Sequence, residues 1–320
     1  METIGTPLLW TAFAAFVALA LAVDLGLLKR KGPHEVGMRE ALGWSAAWVA
    51  LALAFNAALW WWLQQRMPGA EANRIATEFL TGYLVEKALA VDNIFVFLML
   101  FTYFRVPAAS QARVLSYGVL GAIVLRGILI LAGAWLLAHF HWLLYLFGAF
   151  LLLTGLKMFW AAGQQPDLDA NPLLRWLRGH LPMAPGFAGE ALWIGRGAAR
   201  RYTPLFLVLL MVGITDVIFA VDSIPAIFAI TTDPFVVLSS NVFAVLGLRA
   251  LYFLLAGMAD RFHLLSYGLA AVLVFVGAKM LLADVVKLPI LVSLCVVALL
   301  IGGAIAASLW LPPDRKRESA

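Results

Sequence analysis

Two short segments place carboxylates deep inside apolar stretches. The first reads Glu86-Lys-Ala-Leu-Ala-Val-Asp92-Asn93 and the second Asp216-Val-Ile-Phe-Ala-Val-Asp222-Ser223. Each pair is spaced by six, and the two pairs stand 130 positions apart. A carboxylate at the centre of a membrane helix costs about 2.5–3.5 kcal/mol on insertion scales. Four of them in matching places are expected to bind or pass a charged species. The polar residues inside the apolar runs are Asp24, Glu86, Asp92, Asp216 and Asp222, with Asn56, Asn93, Thr215, Ser223 and Asn241. An all-oxygen donor set without histidine or cysteine clusters suits hard cations (Mg2+, Ca2+, Mn2+) and disfavours dedicated zinc or copper sites. Protons are the other species such a set can carry.

Spacing constrains how these groups meet. Six residues turn an α-helix by about 600°, so Glu86 and Asp92 diverge by about 120° and share a site only if the helix unwinds near them. Pro225, three residues after Asp222, removes the amide that would bond the Val221 carbonyl, which becomes a backbone ligand candidate. Phe95 holds the matching place in the first segment. Arg126 and Arg249, both in mid-run, are expected to pair with the acids and balance their charge when no cation is bound. Asp24 and Asn241 belong to the same charge-balancing or gating set. Lys157 and Lys279 lie near run ends, where snorkelling to the interface is cheap.

The elements that position these residues are membrane spans. The chain has 320 residues, 63% hydrophobic and 13% charged, with mean hydropathy +0.93. A soluble domain carries about 25% charge, so this is an integral membrane protein. Nine runs reach span length, at 8–28, 41–63, 78–104, 114–138, 141–160, 204–230, 236–257, 264–283 and 288–311. The third and sixth are long enough to be tilted or broken. With the N-terminus outside, internal loops hold fifteen Lys and Arg, while external loops hold only Arg66, Arg74 and Lys287. That split places the C-terminus in the cytoplasm and absorbs the net charge of +5, leaving a nucleic-acid partner without support. Lone Cys295 excludes an intrachain disulfide or dithiol centre. The loop 161–203 is the one sizeable soluble stretch, and its 171–181 segment reads as a short interfacial helix or a surface loop.

A duplication runs through the middle of the chain. Tyr117-Gly-Val-Leu-Gly-Ala-Ile-Val-Leu-Arg126 parallels Ser240-Asn-Val-Phe-Ala-Val-Leu-Gly-Leu-Arg249 at an offset of 123. Gly155-Leu-Lys157-Met158 parallels Gly277-Ala-Lys279-Met280 at 122. Each unit has three helices, 78–160 and 204–283, and an odd number makes consecutive units enter the membrane in opposite directions. The expected fold is therefore an all-α polytopic bundle with an inverted repeat of two three-helix units. Helices 8–63, the last helix 288–311 and the tail 312–320 are additions. Sites in such proteins lie near the midplane, at the repeat interface.

The stretches Glu86–Asn93, Phe219-Ala-Val-Asp222-Ser-Ile-Pro-Ala-Ile-Phe-Ala-Ile-Thr-Thr-Asp-Pro234 and Ser240–Arg249 resemble the TerC family of bacterial membrane proteins. The resemblance covers essentially the whole chain. It implies a multi-pass inner-membrane protein linked by name to tellurite resistance and functionally to manganese export, with Mn2+ as substrate and no resident cofactor. It also implies metal ligation by Asp92 and Asp222, with Glu86 and Asp216 beside them, and Asn93 and Ser223 as helpers. The expected activity is divalent-cation export, coupled to protons, with no enzymatic chemistry. The rival expectation is a non-transporting membrane stress factor, a redox modulator or tellurite-resistance component.

Overall fold

The computed structural model describes residues 3–31, 36–140, 142–161, 172–196, 199–257, 264–285 and 288–311. Among these are eleven helices: α1 (Pro7–Lys31), α2 (Met38–Gln64), α3 (Gly69–Tyr103), α4 (Ala108–His139), α5 (Leu143–Ala161), α6 (Pro172–His180), α7 (Pro204–Phe228), α8 (Pro234–Leu246), α9 (Leu248–Ala256), α10 (Leu265–Leu281) and α11 (Ile290–Trp310). The fold is an all-α polytopic membrane helix bundle. Six described helices are long and apolar enough to cross a bilayer, and α8 with α9 make a seventh when counted as one bent span. Helix α3 misses that criterion because Glu86, Lys87 and Asp92 crowd its apolar half. Helix α10 is apolar but only 17 residues long.

Punctuation by proline sets many of the boundaries. Pro68, Pro107 and Pro289 stand as N-caps of α3, α4 and α11, and Pro204 and Pro234 open α7 and α8. Proline fits there because the first-turn amides lack intrahelical partners anyway. Asp233 caps α8 more fully, its carboxylate accepting from the amides of Phe235 (2.8 Å) and Val236 (3.4 Å).

Breaks fall elsewhere than the sequence predicts. Both long runs are continuous: α3 extends for 35 residues, and α7 passes through Pro225 to Phe228. Pro225 sits in the final turn, where loss of one bond does not stop the helix. The bend is in the seventh run instead, where α8 and α9 meet at 42° around Gly247.

The two three-helix units interlock. Helix α3 packs on α8, and α4 packs on α7, so the first helix of each unit meets the second of the other. Gly82 faces the Ser240 hydroxyl and the Lys87 ammonium bonds the Ala244 carbonyl (2.9 Å), so α3 and α8 run in the same direction. Gly118 faces Val212 and Gly133 faces Phe228, so α4 and α7 do likewise. The third helices run antiparallel in backbone contact. A Cβ on Gly155 would lie 2.8 Å from the Val274 nitrogen and 2.9 Å from the Ala270 carbonyl oxygen. One on Gly277 would lie 2.6 Å from the Leu152 nitrogen and 2.8 Å from the Gly148 carbonyl oxygen. The offset of 122 that aligns Gly155 with Gly277 also aligns Leu152 with Val274 and Gly148 with Ala270. Each contact therefore has its twin across the interface. Glycine is required here because any side chain would drive the backbones apart.

Helices α1 and α2 attach through an aromatic cluster. Phe13, Phe16 and Phe55 pack against Phe79 of α3 and Phe235 and Phe243 of α8. Between α5 and α7, the described part of the 171–181 segment forms α6 over Pro172–His180, which buries Leu174 and Leu177 in the same core as Phe101 and Tyr252. A two-stranded hairpin pairs Trp193 with Tyr202. Arg113 at the start of α4 holds Glu190 of this loop at 2.6 Å.

Candidate functional site

The centre of the bundle is a three-residue charge cluster. Arg126 of α4 is 1% exposed and reaches between α3 and α7. Its Nη1 donates to Glu86 Oε1, its Nη2 to Asp216 Oδ1 at 3.0 Å, and its Nε to Asp216 Oδ2 at 3.4 Å. Glu86 is 1% exposed and Asp216 3%. Two carboxylates on one guanidinium leave a formal charge of −1 when both acids are ionised, and one proton makes the cluster neutral. Both oxygens of Asp216 are engaged, whereas buried Glu86 Oε2 has no partner among the described residues. Burying such a group is costly unless something pairs with it.

Neighbouring faces carry further polar atoms. Asp216 and Ser223 are seven apart and share one face of α7, both buried. Among the described residues the Ser223 hydroxyl lacks a partner, as do both amide atoms of fully buried Asn241 on α8. Asn93 of α3 is 3% exposed. Thr215 is occupied locally, donating to the Met211 (2.9 Å) and Val212 (3.0 Å) carbonyls.

Glu86 and Asp216 form the ion pairs at the core, both held by Arg126. Helix α3 approaches α7 at Gly82 beside Ile227 and again where Arg126 links Glu86 to Asp216, so the two helices run in opposite directions. The Asp92 side chain lies outside the described residues. Asp222 is half-buried and feels the charge of Lys157 on α5. The Val221 side chain is 49% exposed, and Val221 stays within unbroken α7. Among the described residues no group of three or more Asp, Glu, His or Cys side chains is placed to hold a metal ion.

The second arginine pairs elsewhere. Arg249 of α9 donates to Asp24 of α1 at 2.5 Å and to Ser116 of α4 at 3.1 Å. Asp24 of α1 thus takes its cationic partner from the second unit. Asn241 contacts neither arginine in the described hydrogen bonds.

The partners of two further charged residues are not legible in the sequence. Lys87 reaches the last turn of α8, bonding the Ala244 carbonyl beside the Gly247 bend. Glu78 is 5% exposed near the start of α3 and bonds Arg74 at 2.5 Å. The sequence does carry a signal for it: Glu78, Gly82 and Glu86 recur every four residues along one face of α3.

Comparison with known proteins agrees with this architecture. The model of the integral membrane protein TerC family matches residues 71–316. The Alx protein of Escherichia coli (strain K12), whose name includes "membrane-bound redox modulator", is 59% identical over 93% of this chain and 92% of its own length. The Alx protein of Salmonella typhi, named likewise, is 54% identical over 99% of each chain. The uncharacterized membrane protein STKORF319 of Myxococcus xanthus is 50% identical over 97% of this chain and 95% of its own. No solved structure matches.

Proposed function

The chain belongs to the TerC family of integral membrane proteins, and from that premise we propose that it exports a divalent cation, Mn2+ foremost, in exchange for protons. The single observation that carries the reading is the buried Glu86–Arg126–Asp216 cluster, whose second Glu86 oxygen has no partner among the described residues. A stabilising ion pair rarely repays burial of three charges, whereas a transported cation gives them work. The twin glycine contacts of α5 and α10 support an inverted repeat, with the cluster at its centre. The Lys and Arg distribution supports a bacterial inner-membrane orientation with the N-terminus periplasmic and the C-terminus cytoplasmic.

In this reading Arg126 balances one of the two central negative charges while no cation is present, and a proton balances the other. A proton arriving on Glu86 Oε2 weakens its hold on the guanidinium, and a cation entering in its turn displaces the proton. Asp92 with Asn93, and Asp222 with Ser223 and the Val221 carbonyl, ligate the ion on its way past the cluster. Arg249, Asp24 and Asn241 gate the flank.

Uptake of radioactive Mn2+ into everted membrane vesicles tests this directly. Wild-type vesicles should accumulate Mn2+ when the lumen is acidic, and Glu86→Gln or Asp222→Asn should each abolish accumulation. Equal rates in wild type and both variants would sink the transporter reading and favour a non-transporting stress factor.

A further inference from the structure

A cavity of about 710 Å³ opens where α3 begins and where α7 and α10 end. Three carboxylates line it: Glu71, Glu78 and Asp233. Asp233 is committed, its oxygens accepting from the Thr3 hydroxyl (2.9 Å), the Ile4 amide (2.7 Å) and the α8 amides it caps. Glu71 stands on the rim, half exposed. Glu78 is buried against the cavity, held by Arg74 and within hydrogen-bonding reach of Thr231. Both holders are side chains that can let go, and Arg74 is itself 54% exposed.

Glu78 stands on the same α3 face as Glu86, about 12 Å along the helix. Between them Gly82 presents no side chain and faces the Ser240 hydroxyl of α8. A carboxylate, a hydroxyl and a second carboxylate thus follow one another from the cavity to the central cluster. Lys279 of α10 lines the same cavity. A carboxylate held by one movable cation, in a cavity that offers a second, suits brief acceptance of a metal ion better than retention.

We propose that Glu78 is the outermost carboxylate station on the cation route, with Arg74 as the resident cation that displaces the metal into the cavity. The proposal rests on the export reading given above and adds a site and a release step to it. Lys279 then serves a route and not only the interface.

The test uses the same everted vesicles, with Mn2+ as the probe on either face. Glu78→Gln should lower the maximal rate about tenfold while leaving half-saturation at the cytoplasmic face unchanged. Glu78→Asp should restore most of the rate. Arg74→Ala should make transport more sensitive to Mn2+ preloaded in the lumen, because the displacing cation is gone. Thermal unfolding of each purified variant shows whether it folds. A folded Glu78→Gln protein within about twofold of the wild-type rate overturns the proposal, and so does unchanged lumenal inhibition in Arg74→Ala. Transport abolished by Glu86→Gln with Glu78→Gln unaffected refutes the outer station alone, whereas no transport by wild type refutes the export reading itself.

Discussion

Arg126 and Arg249 stand 123 positions apart at matching places in the two three-helix units, yet they hold different partners. Arg126 joins the acids of both units, while Arg249 turns away to Asp24. The cause is local. Helix α4 is continuous through Arg126, whereas the second unit bends by 42° at Gly247, two residues before Arg249. Gly247 lies against Trp48 and the Lys87 ammonium, which also holds the last turn of α8. A cation at a helix C-terminus is favoured by the helix dipole, so Lys87 stabilises the bent form. The two units are thus similar in sequence and unlike in charge pairing.

Removing Arg126 should be more damaging than removing either acid. Arg126→Ala leaves two carboxylates unpaired at 1% and 3% exposure, and breaking buried pairs in this way costs about 3–5 kcal/mol. Glu86→Gln keeps the bidentate hold of Arg126 on Asp216 and should cost less. Adding Glu86→Gln and Asp216→Asn to Arg126→Met removes every charge, so much of the lost stability should return without transport. Unfolding midpoints in detergent give the order. A triple variant no more stable than Arg126→Ala would show that the cluster is not held by charge.

How far the sequence revealed this arrangement depends on the kind of feature. Span positions, the duplication and the pairing of arginines with acids follow from hydropathy and from charges that are expensive to bury. Which acid meets which arginine does not, because the antiparallel approach of α3 and α7 fixes the level at which residues meet. That level places Glu86 with Asp216 around Arg126. Pro225 marks a bend in sequence but sits too near the end of α7 to make one, while Gly247 bends its span because Trp48 and Lys87 pack at the turn. Glu78 carries a readable four-residue rhythm with Glu86, but its burial comes from a cavity shared by distant segments.

The Arg249–Asp24 pair should contribute less than the central cluster. Its side chains are 17% and 12% exposed, and hydrogen bonds to charged groups contribute about 1.5–3 kcal/mol. A double-mutant cycle on Arg249→Gln and Asp24→Asn should give a coupling energy in or below that range. Transport should fall in each single variant and recover in part when the two charges are exchanged. Additive losses without coupling would mean that the two residues act independently.

The bend can be tested by filling it. A Cβ at Gly247 would lie 2.6 Å from the Lys87 ammonium and 3.1 Å from Trp48 Cβ. Gly247→Ala must therefore displace Lys87 from the Ala244 carbonyl. Its transport rate should fall, and Lys87→Met should lose rate similarly, with the double variant no worse than either. Independent, multiplying losses would separate the bend from the lysine.

The α5–α10 interface should respond alike from both sides. Gly155→Ala and Gly277→Ala each push a methyl group into backbone atoms under 3 Å away, and overpacking of this kind costs about 1–3 kcal/mol. Gly302→Ala on α11 meets nothing within 4 Å and should be neutral or slightly stabilising, since alanine is the better helix former. Matching losses at Gly155 and Gly277 fit the twin contacts. A large loss at one position only would mean that the symmetry of the contacts is not one of energetics.

The final prediction separates transport from redox chemistry. Cys295 is the only cysteine in the chain and lies exposed on α11, outside both three-helix units. A redox modulator acting through its own thiol chemistry would need that sulfur, because a lone exposed thiol can still be oxidised or form a mixed disulfide. A cation exporter would not need it. Cys295→Ser should therefore keep the wild-type rate of Mn2+ uptake and confer the same survival under Mn2+ and oxidant stress. In the same cells Glu86→Gln should lose both. Survival that follows Cys295 and ignores Glu86 would transfer the function from the buried charges to the thiol.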